Sequence, residues 1–228
     1  MDSQKAILAA LLIVGFIVTP LSGSARAPPQ TACGVCTSSL DHAADKHGVS
    51  INRAHSELSI QVYENASTEW TATVRLTEGV SALQNDALRN AIVTDALHHA
   101  RHVAEPTHVS SQISGDTLTV SYRDSDAVET HLGVLVFTRF HASDPVLPFV
   151  IGGEGTTSPG ADKLVVRAPS DYLVTGDYAS AAESKNTVRW NTNKNEKQIK
   201  RSTRITFVRN RGLFTGLRTT FARLLYLV

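Results

Sequence analysis

Hydrophobic and polar residues alternate most cleanly between His55 and Glu78. Leu58, Ile60 and Val62 alternate with Ser59, Gln61 and Tyr63. After Glu64-Asn65-Ala66-Ser67 the alternation resumes, with Trp70, Ala72, Val74 and Leu76 against Thr71, Thr73, Arg75 and Thr77. A period of two on both sides of a short polar turn predicts a β-hairpin with one buried face. That face needs a cover, and from Ser81 to about Val103 the period lengthens to supply one. At about 100° per residue, Leu88, Ile92, Val93, Ala96, Leu97, Ala100 and Val103 fall on one half of a helix. Ser81 followed by Gln84 fits a capping box, and Pro106 closes the segment. Arg89 intrudes on the apolar half and is expected at its edge.

The alternation then returns. Thr107 to Ser114, the turn Gly115-Asp116 and Thr117 to Arg123 predict a second hairpin, with Leu118 and Val120 inward. Asp124 to Glu129 reads as an acidic turn; Asp124, Asp126 and Glu129 lack the spacing of a calcium loop and are taken as loop residues. His131 to Phe140 reads as a more buried strand. Pro145 to Ala161 is rich in Gly and Pro and reads as a surface loop. Its Gly152-Gly153-Glu154-Gly155-Thr156-Thr157 run lacks the Gly-Lys-Ser/Thr ending of a phosphate loop. Lys163–Arg167, Tyr172–Thr175, Thr187–Asn191 and Thr203–Arg209 are short strands, completing the sheet or forming a second β-layer. The fold class is α+β: an antiparallel sheet built on the hairpin 55–78, the helix at about 81–103 packed on one face, and short strands after it.

The N-terminus breaks this pattern. Lys5 precedes Ala6 to Val18, an apolar run of 13 residues, and Pro20 and small residues follow. The run is short for a membrane-spanning helix, which needs about 20 residues, and suits an export signal. Ala25-x-Ala27 resembles a cleavage site, although Pro28 would obstruct it; cleavage after Ser24 is the alternative. Residues 1–27 are therefore an export signal or an N-terminal anchor, and 28–190 a single extracytoplasmic domain.

Net charge is only +1, but its distribution is uneven. Residues 1–184 hold 11 Lys and Arg against 20 Asp and Glu, a balance of −9; residues 185–228 hold 11 against one, a balance of +10. Residues 191–228 read as a basic tail ending in an apolar or amphipathic helix over 212–228. With Arg218 and Arg223 inside it, that segment suits the surface of an anionic membrane better than its interior. A terminal helix docked on the sheet is the alternative. Export argues against nucleic acid as a partner.

Candidate chemistry is sparse. Cys33 and Cys36, the only cysteines, form a C-x-x-C ahead of a short helix over Thr37 to His47, with Thr37 or Ser38 as cap and Gly48 at its end. Outside the cytosol the pair would oxidise to a small-loop disulfide. A thioredoxin-like redox site is an alternative, but no strand precedes the motif. A zinc site using Cys33, Cys36, His42 and His47 is another, though its Cys-to-His gap is short for a finger. On the polar face of the long helix, Asp95, His98 and His102 stand at i, i+3 and i+7 and could hold a divalent metal, the one cofactor the pattern suggests. A solvated face with histidines near the helix C-terminus is the plainer reading. Asn65-Ala66-Ser67 is an N-x-S sequon at the expected hairpin tip. No motif assigns a reaction.

The leader, the C-x-x-C and the stretches HGVSINRAHSELSIQVYENASTEWTATVRL, GDTLTVSYRD, HLGVLVFTRF and ADKLVVRAPSDYLVTGDYASA resemble a group of uncharacterised exported proteins of halophilic archaea, over roughly residues 30–190. The resemblance implies export and often a C-terminal membrane helix; it implies no activity and no site residues. The acidic body agrees with it and the basic tail departs from it. The expectation is a non-enzymatic cell-surface or membrane-associated structural or interaction module. The alternatives are a metal-binding protein and an extracytoplasmic thiol-disulfide protein.

Overall fold

The computed structural model of the chain describes residues 31–99, 106–140, 158–178, 182–192, 199 and 203–210, which all belong to one unit. The leader, the glycine-rich run 152–157, the end of the long helix with His102, and the segment 212–228 lie outside the described residues.

Among the described residues two sheets and two helices make the body. The elements in chain order are α1 (Ser38–Lys46), β1 (Asn52–Val62), β2 (Thr68–Glu78), a 3₁₀ turn (Ala82–Gln84), α2 (Asp86–His99), β3 (Thr107–Ser114), β4 (Thr117–Asp124), β5 (Val128–His131), β6 (Val134–Phe137), β7 (Lys163–Arg167), β8 (Tyr172–Asp177), β9 (Ala182–Ser184), β10 (Thr187–Asn191) and β11 (Arg204–Arg209). The first sheet has seven strands in the order β3-β4-β2-β1-β7-β10-β9, and the second has four in the order β5-β6-β11-β8. Among the described strands every pairing is antiparallel except β1 with β7, which is parallel, and an isolated parallel bridge joins Thr31 to Ser158. A mixed sheet arises because β7 reaches β1 after a long excursion instead of a tight turn.

The β1–β2 hairpin forms as the alternation predicts. Ile60 opposes Trp70, Leu58 opposes Ala72 and Ser56 opposes Val74, and all six side chains are buried. Trp70 stacks on Tyr122 of β4 at 5.8 Å and meets Phe137 of β6 at 6.1 Å and Phe140 edge-on at 6.5 Å. Phe140 in turn lies 6.0 Å from Trp190 of β10. This aromatic cluster joins the two sheets, since Tyr122, Trp70 and Trp190 come from one and Phe137 from the other. Such pairs favour the offset and edge-on geometries seen here. Ile205 and Phe207 of β11 extend the same core, so the body runs past residue 190, the expected limit of the domain. Burial holds the Tyr122 hydroxyl well above the usual phenol range.

The helices enter the same core through Leu40, Ala43 and Ala44 of α1 and Ile92, Val93, Ala96 and Leu97 of α2. They pack on each other, and α2 packs on β3. The start of α2 differs from the expected capping box. Ser81 makes no capping hydrogen bond; instead the Asn85 carboxamide oxygen accepts from Leu88 N–H at 3.1 Å. Arg89 is not at an edge but buried, at 6% exposure. Its guanidinium donates to Leu83 O (2.8 Å), Asp86 Oδ1 (2.7 Å), Ser111 Oγ (3.1 Å) and Ser111 O (3.2 Å). A buried charge is tolerable when its donors are met this fully.

Two further regions depart from expectation. The acidic turn is shorter than expected: Val128–His131 forms β5, and the chain reverses at Leu132-Gly133, both at positive φ (52° and 77°). Asp124 is no open loop residue, for its carboxylate is almost wholly buried and held by both Nε (2.7 Å) and Nη2 of Arg139. No described helix is long and apolar enough to cross a membrane.

Candidate functional site

Of the expected metal ligands, Asp95 and His98 lie among the described residues. Asp95 points to the end of α1, where its Oδ2 lies 3.1 Å from His47 Nε2. His98 is exposed, and His102 lies outside the described residues. No group of three His, Cys, Asp or Glu suited to a metal occurs among the described residues. The zinc set is excluded more directly. Cys33 and Cys36 are bonded to each other as a disulfide, with Cα atoms 5.3 Å apart, which leaves no thiolate to ligate.

The turn that carries the disulfide instead borders, at Cys36 and Thr37, a polar cleft of about 430 Å³. Its walls come from three distant parts of the chain: the disulfide turn, the first residues of β1, and the approach to β7. The turn is held first from within. Thr37 Oγ1 donates to Gly34 O at 2.7 Å and accepts from Ser39 N–H at 3.2 Å, so one hydroxyl closes the turn and caps α1. The turn is then tied to the approach to β7: Ala32 N–H donates to Ser158 O at 2.8 Å and Cys33 N–H to Pro159 O at 3.1 Å. Gly160 makes this approach possible. It has a φ of +70°, and a Cβ there would stand 2.8 Å from Cys33 O.

Arg53 forms the second wall. Its Nε and Nη2 engage both carboxylate oxygens of Asp41 on α1 at 2.8 Å each, and Nη1 donates to Cys36 O. This bidentate pair fixes α1 and the disulfide turn against β1. Asp162 forms the third. Its Oδ2 accepts from Ser56 N–H (2.8 Å) and Ser56 Oγ (3.3 Å) and lies 3.2 Å from His55 Nδ1. Asp162 O accepts from Thr192 N–H and Thr192 Oγ1, each at 3.0 Å. Asp162 thus ties β1, β7 and the end of β10 together.

Ser56, His55 and Asp162 have the residue types of a nucleophilic triad but not its wiring. In such a triad the imidazole stands between hydroxyl and carboxylate and takes the hydroxyl proton. Here hydroxyl and imidazole share one carboxylate oxygen, and the Ser56 hydroxyl is buried at 6% exposure. The arrangement positions strands and lines the cleft with the Arg53 guanidinium and the exposed His55 imidazole. The sequence pattern did not single out Arg53, His55, Ser56 or Asp162. The one local sign was the small Pro159-Gly160 pair ahead of a strand; the contacts themselves span 106 residues between Ser56 and Asp162.

With this geometry in view, comparison with known proteins adds no parallel: no protein-family model matches the chain, and neither does any curated protein.

Proposed function

We propose that the chain is an exported, non-enzymatic structural or interaction module of the cell surface, whose N-terminal disulfide is a fixed part of the fold. The observation that carries this reading is the burial of the disulfide: Cys33 and Cys36 are 1% and 2% exposed. Thiol–disulfide exchange needs attack in line on an accessible sulfur, so a bridge this deeply covered suits a structural role and not a redox site. A structural disulfide persists in oxidising compartments, in agreement with the export-like leader. The charged groups around the cleft are held within the fold, Arg53 by Asp41 and Asp162 by Ser56, in keeping with a structural role for this region. The basic tail that follows β11 would add contact with an anionic membrane surface.

Alkylation of full-length protein recovered from exporting cells tests this. The expected result is two cysteines blocked to alkylation until the protein is both unfolded and reduced, in protein recovered from the envelope or medium. Reduced, alkylatable cysteines in a cytosolic chain that retains Met1 would overturn the reading. Sedimentation with anionic vesicles checks the membrane contact, which should weaken as salt rises.

A further inference from the structure

We propose that Asn65 is a site of N-linked glycosylation, presented by the β1–β2 tip in a conformation that leaves its amide nitrogen available. The inference rests on the export reading for its setting, but its evidence is the geometry of the tip.

Strand pairing ends at Val62 and Thr68, and five residues bridge the gap. Tyr63 O accepts from Ala66 N–H at 3.0 Å, and Ser67 O accepts from Tyr63 N–H at 3.0 Å. Ala66 takes a left-handed φ of 64°, which completes the reversal. Asn65, within this tip, is exposed. Only its carboxamide oxygen serves the turn: Oδ1 accepts from Ser67 N–H at 3.1 Å and from Ser67 Oγ at 2.7 Å. Nδ2 takes no part in these bonds. A substituent on Nδ2 would therefore leave both turn hydrogen bonds in place. The Ser67 hydroxyl also withdraws electron density from the amide, which makes its N–H a better proton donor. The sequon thus has its two essential side chains in contact and its acceptor atom outside the turn's hydrogen bonds, on an exposed residue.

The position suits a bulky modification. The flanking side chains are engaged elsewhere, Glu64 with Arg209 at 2.7 Å and Tyr63 with Glu69 at 2.5 Å. Ser56 and the cleft lie towards the other end of β1, on the order of 20 Å away at about 3.3 Å per strand residue. A glycan at the tip would leave the cleft open.

The reaction needs a sugar donor activated by a lipid-linked phosphate or pyrophosphate. The Asn65 nitrogen attacks the anomeric carbon. A C–N bond forms as the C–O bond breaks, the lipid phosphate leaves with the bonding pair, and one amide proton passes to a base of the transferase. Nothing is oxidised or reduced.

The test uses the full chain in two settings. Expressed in a host that both exports and N-glycosylates proteins, the chain should carry sugar mass on the Asn65 peptide. Ser67→Ala should abolish that mass, and Ser67→Thr should retain it. Separately, purified folded chain incubated with an oligosaccharyltransferase and lipid-linked sugar should be modified at Asn65 and not in N65Q. An exported, unmodified chain would overturn the proposal while leaving the export reading intact. A chain retained in the cytosol would overturn the export reading, and the purified reaction would then decide: no transfer to Asn65 defeats the proposal.

Discussion

The two ends of strand β1 are built by opposite means. At the Val62 end the chain turns back on itself within five residues, and its hydrogen bonds join Tyr63, Asn65, Ala66 and Ser67 to one another. At the Arg53–Ser56 end, three segments meet that are far apart in sequence. Asp162 reaches Ser56 across 106 residues, Arg53 reaches Cys36 across 17, and Gly160 lies against Cys33 O. The first end follows from local turn chemistry. The second exists only because β7 runs parallel to β1 and brings residues 158–162 to the start of that strand. Local ends form early and cheaply in entropy; remote ends close a long loop first.

Trp70 tests whether the local end is as self-contained as its turn. It belongs to the hairpin, yet Phe137 and Phe140 pack on it from the far side of the core. Trp70→Ala should destabilise the protein by about 3–5 kcal/mol, more than a substitution at either end of β1. Denaturant unfolding followed by far-UV circular dichroism would measure it. A loss under about 1 kcal/mol would mean the two sheets do not share this core.

Gly160→Ala probes the remote end directly. The positive φ alone costs about 1–3 kcal/mol for a residue with a Cβ, and that Cβ meets backbone, which yields little. The expected outcome is a comparable fall in stability and faster reduction of the Cys33–Cys36 bridge, because the segment that covers it is pushed away. Unchanged reduction kinetics with lowered stability would show that the bridge is protected by α1 and not by residues 158–160.

This asymmetry explains what could be read from the chain alone. The β1–β2 and β3–β4 hairpins were legible because alternation and turn residues are local: Gly115, in the Gly115-Asp116 turn signal, does sit at a φ of +58°. The short strands after Lys163 were legible as strands, completing the sheet or forming a second layer, but not as divided between two sheets. Nothing near β8 announces that it pairs with β11 instead of β7. The β5–β6 turn was missed because Leu132 is a poor residue for a left-handed φ, so Leu132-Gly133 gave a weak turn signal. Arg89 was read as an edge residue because a charge in an apolar pattern looks like one, and Asp124 as a loop residue because other acids follow it; neither pattern shows the partners, Ser111 and Arg139, that the fold brings to them. The cleft was the least legible feature, since its residues are ordinary in type and become a site only by long-range pairing.

At the local end a smaller change should act in the opposite direction. Ala66 holds a left-handed φ that favours glycine. Ala66→Gly should stabilise the hairpin by about 0.5–1 kcal/mol, the relief of the Cβ clash being partly offset by greater freedom in the unfolded chain. It keeps the N-x-S pattern, so thermal unfolding and modification of Asn65 can be read on the same variant. A destabilised A66G protein would mean that the turn does not hold this conformation in solution.

The smallest effect separates contact range from contact strength. Arg75 of β2 and Asp116 in the β3–β4 turn pair at 2.7 Å across 41 residues, towards the cleft end of the hairpin, but both are well exposed. The Arg75 hydrogen bond, helped by the Thr117 hydroxyl, holds the Asp116 carboxyl below the usual carboxylate range. A carboxyl whose value is lowered by folding stabilises the fold above its unfolded value of about 3.9, and that stabilisation is lost as pH falls through the lowered folded value. Asp116→Asn should therefore remove a shallow step from the acid limb of the stability profile and leave neutral stability almost unchanged, since exposed pairs contribute little. Unfolding midpoints across the acid range for both proteins, with an NMR titration of the Asp116 carboxyl, would check it. If this exposed long-range pair proved as costly to remove as Gly160 is to replace, sequence separation and not burial would govern the cleft end, and the contrast between the two ends of β1 would need another cause.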